Sequence, residues 1–564
     1  MDLTAVLPRL ERLYGERAAR PTLSRIETAV TAHGLGGEAM PSSRWSEKDT
    51  VLITYGDQVR GEGVSALEAQ RRWLLDNGLR DAISCVHLLP FFPYTSDDGF
   101  SVSDYRAVDP AAGDWSDVDA FGGDFDLMYD LVLNHCSQEH EWFRNCLARK
   151  EPYTHYFHAV DPTLDLSGVT RPRSLPLLHE FQTDDGPRHF WTTFSRDQLD
   201  LNFAHPDVLV EMLDVLLLYV ARGAKIVRLD AIAYLWKEIG TNCIHLPQTH
   251  EVVKLMRDVL DAAAPGVILL TETNVPHAEN VSYFGDPATG DEGHGDEAHM
   301  VYQFSLAPLL LDAVLHEDAT YLNAWLSTLQ PPRPGTTYFN FTASHDGVGV
   351  RPLEGLVPEQ RKASLMDHVA RQGAAVSMKA NADGGESPYE INGTYFSLVG
   401  GETDDVRLRR FLSTQQIMLS LQGIPGVYFQ SFLAAENWQE GVKQTGRART
   451  INRRKYNAGE LTMLLATEPT RADALEAMRK MLVTRRRTPQ FHPDVPQAIH
   501  EPDPRRLVMI ERPGKDGSVW CVANVTREAV EVTMPSQSVD VIDGEPLERQ
   551  FTLRPFETRW LAID

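Results

Sequence analysis

Residues 226–234 read IVRLDAIAY, an apolar run that is interrupted by Arg228 and Asp230. The run resembles a buried β-strand in its length and in its β-branched side chains. Residues i and i+2 of a strand point to the same side, so the guanidinium and the carboxylate are expected to project together. The stretch therefore predicts a buried strand with a charged pair at its end.

Seven further apolar runs alternate along the chain with longer segments that have helical patterning. They are VLITY (51–55), CVHLLP (85–90), LMYDLVLNH (127–135), VILLTET (267–273), MVYQFS (300–305), TTYFNFTASHD (336–346) and GVYFQS (426–431). Continuous apolar strands that alternate with helices are typical of a parallel sheet covered on both faces. Eight strands over about 400 residues predict an α/β fold of the (β/α)8 TIM-barrel type.

The spacing of the runs predicts additional domains. Residues 139–205 and 347–411 are too long and irregular to be single helices, so two inserted subdomains are expected over the C-terminal mouth of the barrel. After residue 490, short strand patterns meet at Asp516-Gly517 and Asp543-Gly544, which favour hairpin turns and predict a C-terminal antiparallel β domain. The expected order is an N-terminal helical extension (1–48), barrel (49–138), domain B (139–205), barrel (206–346), domain B′ (347–411), barrel (412–489) and the β domain (490–564).

Composition and charge exclude several classes of partner. The 564 residues include 79 acidic and 54 basic ones, a net charge of −25, whereas a nucleic-acid partner requires a basic surface.

The five cysteines form no CxxC pair, so neither a zinc site nor a disulfide framework is predicted, and a reducing compartment fits. The N-terminus lacks the apolar core of a secretory signal, and long apolar stretches carry acidic residues. We expect a cytoplasmic protein without a membrane span.

Charged residues occur where the predicted strands end. They are Asn134-His135 after the third run, Arg228 and Asp230 in the fourth, Glu272 in the fifth, His345-Asp346 in the seventh, and Asp97-Asp98 in the loop after the second. In this type of barrel, such ends meet at one mouth, where the chemistry takes place. A single one of them is more often a cap or an ion-pair partner. Three carboxylates together, Asp230, Glu272 and Asp346, predict a catalytic site, because burying like charges costs stability.

Paired carboxylates are the groups that glycosidic bond cleavage requires. One must be ionised to attack the anomeric carbon, and the other must be protonated to release the leaving oxygen. Arg228 is expected to keep Asp230 anionic, which makes Asp230 the candidate nucleophile. Glu272, on a neighbouring strand, is the candidate acid/base.

These residues carry a family resemblance. NH at 134–135, RLDA at 228–231, the Glu of TETN at 272 and SHD at 344–346 resemble the four signature regions of the α-amylase superfamily, glycoside hydrolase family 13. The resemblance covers nearly all of residues 50–564. It implies that Asp230 is the nucleophile, Glu272 the acid/base and Asp346 the carboxylate that holds the sugar 2- and 3-hydroxyls. It also implies glucosyl-ring contacts from Asp97, Phe100, His135, Arg228, His345 and Arg449, with Arg449 pairing with Asp97 to close the pocket.

Departures from the starch-cleaving members narrow this resemblance. The nucleophile region continues Ile232-Ala233-Tyr234 instead of a Lys-His pair, which argues against long glucans and against calcium. The stretches LPFFPYTSDDGF, RPRSLP, DAIAYLWKEIGT and GRARTINR resemble the sucrose phosphorylase subfamily, in which phosphate replaces water as the second nucleophile. The resemblance implies phosphate contacts from Arg173 and Tyr389. It further implies substrate contacts from Phe194, Tyr234, Asn274 and Glu390.

Two acceptor-side positions differ from sucrose phosphorylases. Asn274 and Glu390 replace a His and a Gln, and both changes remove fructose contacts. With TETNVPHAENVSYFG, DEAHMVYQFSL and SPYEIN, the chain most resembles the glucosylglycerate phosphorylases. That group implies retaining, reversible phosphorolysis of 2-O-α-glucosylglycerate to α-D-glucose 1-phosphate and glycerate through a β-glucosyl-Asp intermediate, with phosphate as co-substrate and no cofactor. Glu390 would repel a carboxylate, so we expect it to bind acceptor hydroxyls.

Other interpretations stay open. The chain is also compatible with a phosphorylase for sucrose, sucrose 6-phosphate or glucosylglycerol, with a retaining hydrolase or transglucosidase, and with a non-catalytic binding barrel. His294 and His299 in DEGHGDEAH follow no fixed ligand spacing, so a solvated loop is favoured over a metal site. Asp97-Asp98-Gly99 lacks the later ligands of a calcium loop, and no metal is predicted. A homodimer is left open.

Overall fold

The eight predicted runs each form one strand of a closed parallel barrel. The structure is a computed structural model that describes residues 2–37, 39–286, 295–330, 332–380 and 385–563. Each barrel strand pairs with its sequence neighbours, and the last pairs with the first. The strands are β1 (Val51–Thr54), β2 (Cys85–Leu88), β3 (Asp126–Leu131), β4 (Ala224–Leu229), β5 (Ile268–Thr271), β6 (Met300–Tyr302), β7 (Thr337–Phe341) and β8 (Ile424–Tyr428). The predicted TIM barrel is confirmed.

Strand register brings the charged residues of neighbouring strands to one level. In β4, Arg228 lies opposite Asp130 of β3 on one side and Leu270 of β5 on the other. The strands are buried almost throughout, as expected for a sheet covered on both faces. A charged residue within such a strand requires a polar partner among the side chains around it, because water is excluded.

Helices cover the outside of the barrel. They are Ala66–Asp76, Trp115–Gly122, Pro206–Ala221, Pro247–Ala263, Leu306–His316, Thr320–Thr328, Asp404–Ser420, Ala458–Thr467 and Pro469–Arg485. Shorter helices are His277–Asn280, Phe429–Phe432 and Gln439–Thr445, with single 3-10 turns at Leu79–Asp81, Asp97–Gly99, Tyr153–His155, Ile232–Tyr234, Val281–Phe284, Arg351–Leu353, Ala448–Asn452 and Pro489–Phe491. In the described part of the chain, no helix has the length and apolarity needed to span a membrane.

The N-terminal segment forms two helices, Val6–Tyr14 and Glu16–Ala32, that pack on the barrel helices. Val6 and Leu10 are fully buried there. Arg9 Nε donates to Asp258 Oδ2 at 2.9 Å, and Tyr14 Oη donates to the Phe203 carbonyl at 2.8 Å. The extension is therefore docked by both apolar and polar contacts.

Two segments between barrel strands form small antiparallel sheets near the C-terminal mouth. The first contains the helix Glu141–Leu147, the hairpin Leu178–Thr183 with Gly186–Trp191, and the pair His135–Ser137 with Gln198–Asp200. The second contains strands Val348–Gly349, Ala375–Ala380 and Glu386–Asn392 and helices Glu359–Arg371 and Tyr395–Leu398. A short parallel pair, Val59–Arg60 with Tyr456–Asn457, lies elsewhere. The exact domain boundaries stay predictions.

The C-terminal segment is antiparallel, as predicted. Its strands are Ala498–His500, Leu507–Arg512, Ser518–Asn524, Val530–Thr533, Ser538–Asp540, Pro546–Leu547, Gln550–Leu553 and Thr558–Ile563. The two predicted turns contain Gly517 at φ 109° and Gly544 at φ 74°, backbone conformations that favour glycine. Leu507, Trp520 and Leu561 belong to a separate small apolar core in this sheet.

Candidate active site

A cavity lies at the C-terminal ends of the barrel strands and brings the predicted site residues together. Both inserted segments contribute to its wall. The predicted residues that line it are Asp97, Phe100, His135, Arg173, Phe194, Asp230, Tyr234, Glu272, Asn274, His345, Asp346, Tyr389, Glu390 and Arg449. Arg228, the remaining predicted residue, is 2% exposed and lies behind Asp230.

Arg228 is shared between two carboxylates. Its Nη1 donates to Asp230 Oδ1 at 2.7 Å and, more closely, to Asp130. Asp130 is also bonded to His87, whose Nε2 lies 2.6 Å from Asp130 Oδ2. The sequence interpretation did not include Asp130, although a charged residue inside the apolar run LMYDLVLNH was a visible signal. Asp130, on the neighbouring strand β3, therefore holds the guanidinium of Arg228 in position.

The ionisation of Asp230 depends on burial and on several charged neighbours, of which Arg228 is one. Burial raises the pKa of Asp230 well above its usual range, Arg228 opposes this rise, and the nearby Glu272 and Asp130 add to it. Because Asp130 takes part of the charge of Arg228, the guanidinium does not fully balance Asp230. Asp230 and Glu272 therefore influence each other's ionisation.

Glu272 is placed by a tight turn after β4. Ala231 has φ 51°, in the left-handed region that residues other than glycine seldom adopt, and its backbone N–H donates to Glu272 Oε2 at 3.0 Å. Burial raises the pKa of Glu272, and Arg228, 3.8 Å away, only partly compensates. A raised pKa favours the protonated carboxyl group, which is the form that can act as a general acid.

Asp346 remains anionic in the same cavity. Burial opposes its ionisation, but Arg449, Arg228 and Arg453 together hold the pKa of Asp346 well below its usual range. Arg449 Nη1 lies 2.9 Å from Asp346 Oδ1. The pKa values of the carboxyl groups in the cavity thus shift in opposite directions, because their cationic neighbours differ.

Arg449 makes closer contacts with Glu390 and Asp346 than with its predicted partner Asp97. Its Nε and Nη2 donate to the two carboxylate oxygens of Glu390 at 3.0 and 2.7 Å. Asp97 is 4.0 Å from Arg449, 3.7 Å from Arg173 and 3.6 Å from Arg453. Glu390 is therefore held in a two-pronged ion pair, and Arg449 opposes the rise in the pKa of Glu390 that burial causes.

Two buried histidines provide neutral polar groups. Burial lowers the pKa of His135 to about 4 and that of His345 to about 3. His345 stacks on Phe100 with ring centroids 4.7 Å apart, and His135 Nε2 donates to the Phe100 carbonyl at 3.0 Å. These contacts fix the side of the cavity formed by the loop after β2.

Arg453 is a site residue that the sequence interpretation missed. Its Nε donates to the His345 carbonyl at 2.9 Å, and its Nη1 donates to Asp98 Oδ2 at 3.1 Å. Asp97 and Asp98 have positive φ values of 53° and 52°, so the loop that Arg453 holds is strained. Arg453 lies in the quoted stretch GRARTINR, but its partners are distant in sequence.

Lys237 is a second residue that the interpretation missed. It is buried, and its ammonium lies 2.6 Å from Asp200 Oδ2, donates to Asn134 Oδ1 at 2.7 Å and also donates to the Tyr234 carbonyl. Asn134 precedes His135, and Tyr234 follows the nucleophile strand. A single cation thus ties together three segments around the cavity.

The candidate phosphate residues lie on the two inserted segments. Arg173 lies 5.9 Å from the centroid of the Phe194 ring, and Tyr389 belongs to the strand Glu386–Asn392. Asn274 also faces the cavity, and its Oδ1 is buried without a hydrogen-bond partner among the described residues. These positions leave polar groups available to a ligand.

The residues considered for a metal site do not form one in the described ranges. His294 lies outside the described residues, and the buried His299 accepts a hydrogen bond at Nδ1 from the Leu269 backbone N–H at 3.0 Å. Within residues 2–37, 39–286, 295–330, 332–380 and 385–563, no group of three or more His, Cys, Asp or Glu side chains could hold a metal ion.

A carboxylate pair at the mouth of a parallel barrel is typical of enzymes that act on glycosidic bonds, and comparison with known proteins agrees with this class. The family model described as "Alpha amylase, catalytic domain" matches residues 81–329. The crystal structure of sucrose 6F-phosphate phosphorylase from Thermoanaerobacter thermosaccharolyticum aligns with a TM-score of 0.74 at 24% identity, over 92% of this chain and 99% of that chain. This likeness supports the fold.

Two curated relatives are much more similar in sequence. A glucosylglycerate phosphorylase of Spirochaeta thermophila is 48% identical over 492 residues, 86% of this chain and 82% of the relative. A glucosylglycerate phosphorylase of Escherichia coli is 43% identical over 559 residues, 98% of each chain. The chain therefore belongs to the α-amylase family, in the group of phosphorylases to which these relatives belong.

Proposed function

We propose that this protein is a retaining glucosyltransferase that catalyses the reversible phosphorolysis of 2-O-α-glucosylglycerate to α-D-glucose 1-phosphate and glycerate. The observation that carries the proposal is identity of 43 to 48% to three glucosylglycerate phosphorylases over most of the chain. The carboxylates and arginines that line the cavity in the barrel mouth support the same chemistry.

In the first half-reaction, Asp230 is the nucleophile. Its carboxylate attacks the anomeric carbon of the bound glucosyl group and forms a β-glucosyl ester as the bond to the glycerate oxygen breaks. Glu272 gives its proton to that oxygen, so glycerate leaves with a hydroxyl group. Arg228, at 2.7 Å from Asp230, holds the attacking carboxylate in place.

In the second half-reaction, phosphate opens the ester. An oxygen of hydrogen phosphate attacks the anomeric carbon, the Asp230 carboxylate leaves, and the phosphate proton passes to Glu272. Two inversions give net retention and release α-D-glucose 1-phosphate. Arg173 and Tyr389 are proposed to bind the phosphate. Phosphate is a co-substrate in this scheme, and neither a metal nor an organic cofactor takes part.

The glucosyl ring is proposed to bind among the polar side chains of the loops after β2, β3 and β7. Asp346, kept anionic by its cationic neighbours, is suited to bind two adjacent sugar hydroxyls. His135 and His345 are neutral hydrogen-bonding groups, and Phe100 provides an aromatic surface. Asp97 provides a further carboxylate at the rim.

Glycerate is the acceptor that we favour over a neutral polyol. Glu390, expected from sequence to repel a carboxylate, is neutralised by its ion pair with Arg449 at 2.7 and 3.0 Å. This pair weakens the objection to an anionic acceptor while leaving the carboxylate oxygens able to accept from hydroxyls. Phe194, Tyr234 and the unpartnered Oδ1 of Asn274 are proposed to complete the acceptor side.

The reverse reaction tests the acceptor. Glucose 1-phosphate is offered with glycerate, glycerol, fructose or fructose 6-phosphate separately, and phosphate release is measured. We expect a clear preference for glycerate. A preference for fructose or glycerol would reject glycerate as the acceptor and leave the retaining mechanism standing.

Location and assembly remain proposals. The five cysteines are buried and form no disulfide, which supports action in a reducing compartment such as the cytoplasm. A homodimer stays a prediction that sedimentation would test, and the boundaries of the inserted domains at 139–205 and 347–411 would be tested by limited proteolysis.

A further inference from the structure

A second cavity, which we call the vestibule, adjoins the catalytic one. Its volume is about 460 Å³, against about 70 Å³ for the catalytic cavity. The residues that line both are Asp97, Arg173, Gln198, Tyr389 and Arg449. The vestibule therefore lies directly beside Arg173 and Tyr389, the proposed phosphate-binding residues.

The vestibule is positively charged in a strongly acidic protein. Among the residues that the structure describes, its wall includes four arginines, Arg173, Arg447, Arg449 and Arg453, and two carboxylates, Asp97 and Asp98. The whole chain has a net charge of −25. A concave surface with a surplus of positive charge concentrates small anions locally, whereas the net negative charge of the chain repels them.

The four arginines differ in how far they are already engaged. Arg449 is paired with Glu390 and Asp346, and Arg453 is paired with Asp98. Arg173 is 3.7 Å from Asp97, its nearest carboxylate. In the part of the chain that the structure describes, Arg447 has no ion pair, and its side chain is exposed.

Apolar side chains border these cations. Leu175 and Met378 line the vestibule and are 46% and 38% exposed. They come from the two different inserted segments. Apolar surface beside a guanidinium offers no competing acceptor and reduces the local screening by water, so a bound anion is attracted more strongly.

We propose that Arg447, together with Arg173, forms an anion-recruiting site in the vestibule that binds inorganic phosphate before it enters the catalytic cavity. The guanidinium groups match the oxygens of a phosphate in both charge and geometry. The inference rests on the proposed function, because only a phosphorylase needs an anion as the second nucleophile. The same site takes phosphate monoesters, and α-D-glucose 1-phosphate belongs to that class.

The test measures how the glucosyl-enzyme partitions between phosphate and water. α-Glucosyl fluoride is a neutral donor, so it forms the glucosyl-enzyme without glycerate. The ratio of glucose 1-phosphate to glucose, at limiting phosphate and low ionic strength, then reports the capture of phosphate alone. The variants are Arg447→Gln and, as matched control, Lys443→Gln, which removes the same charge four residues away outside the vestibule wall.

We expect Arg447→Gln to lower the product ratio about three- to tenfold, with Lys443→Gln close to wild type. At about 1 M salt, where the Debye length is about 3 Å, the two variants should converge. An equal ratio in both variants at low salt would overturn the vestibule proposal, whether both fall or neither does. Wild-type enzyme that yields only glucose would instead reject the proposed phosphorylase function itself.

Discussion

Replacing Lys237 by Met tests whether this buried cation organises the catalytic cavity. Met keeps most of the length of the side chain but removes the ammonium that contacts Asp200, Asn134 and the Tyr234 carbonyl. Asp200 is fully buried, and the change leaves its carboxylate without a cation. Asn134 precedes His135, so the loss should also misplace a residue of the proposed glucosyl site.

The expected loss of stability depends on the hydrogen bonds that Asp200 retains in the variant. Removing one member of a buried ion pair costs about 3–5 kcal/mol. Asp200 keeps bonds from the Thr193 backbone N–H and hydroxyl at 2.7 Å each and from Asn134 Nδ2 at 3.1 Å. We therefore expect a loss near the lower end, about 3 kcal/mol, and a KM for the glucosyl donor that rises more than kcat falls.

The assay combines thermal unfolding with donor kinetics for three variants. Lys237→Met is compared with Asp200→Asn and with the double variant, in which both charges are absent. The double variant should recover much of the lost stability, because no buried charge is left unpaired. If Lys237→Met unfolds like wild type, or if the double variant is no more stable than the single one, the reasoning is refuted.

Three further predictions concern the cavity. Asp230→Ala should lower kcat for phosphorolysis on the order of 10⁴-fold or more, and near-normal turnover would exclude a covalent nucleophile there. Because burial raises the pKa of Glu272 and the acid must be protonated, kcat/KM for glucosylglycerate should fall as pH rises through that pKa. The variant Glu272→Gln is assayed with α-glucosyl fluoride, whose leaving group needs no proton. Its kcat/KM should no longer fall as pH rises, and a fall that persists would show that another group causes it. Glu390→Gln should raise the KM for glycerate about tenfold, because the hydrogen bonds that the carboxylate accepts from acceptor hydroxyls are weakened at a cost of about 1–3 kcal/mol. The control Glu386→Gln, on the same strand, should leave this KM unchanged. Equal effects of the two variants would remove Glu390 from the acceptor site.

The barrel could be predicted because its strands are continuous apolar runs. Each run is long enough to cross the barrel, and each is followed by a segment with helical patterning. In a parallel barrel, the residues that follow each strand lie at the C-terminal mouth. Glu272, after β5, and His345, after β7, could therefore be placed together there. Local sequence carries this information by itself.

The ion pairs around the carboxylates could not be predicted in the same way. Arg453 and Asp98 are 355 positions apart, and Lys237 and Asn134 are 103 positions apart. A pairing of this kind depends on how the loops fold over the barrel, which no local pattern records. Asp130 is different, since its place inside an apolar run indicated a buried charge that needed a cation.

The central claim is that phosphate, and not water, receives the glucosyl group. The direct test incubates the enzyme with 2-O-α-glucosylglycerate in the presence and absence of inorganic phosphate, and quantifies glucose 1-phosphate, its anomeric form, glycerate and glucose. The account predicts α-D-glucose 1-phosphate and glycerate in equal amounts, formed only when phosphate is present. Free glucose released at the same rate in both reactions would contradict it.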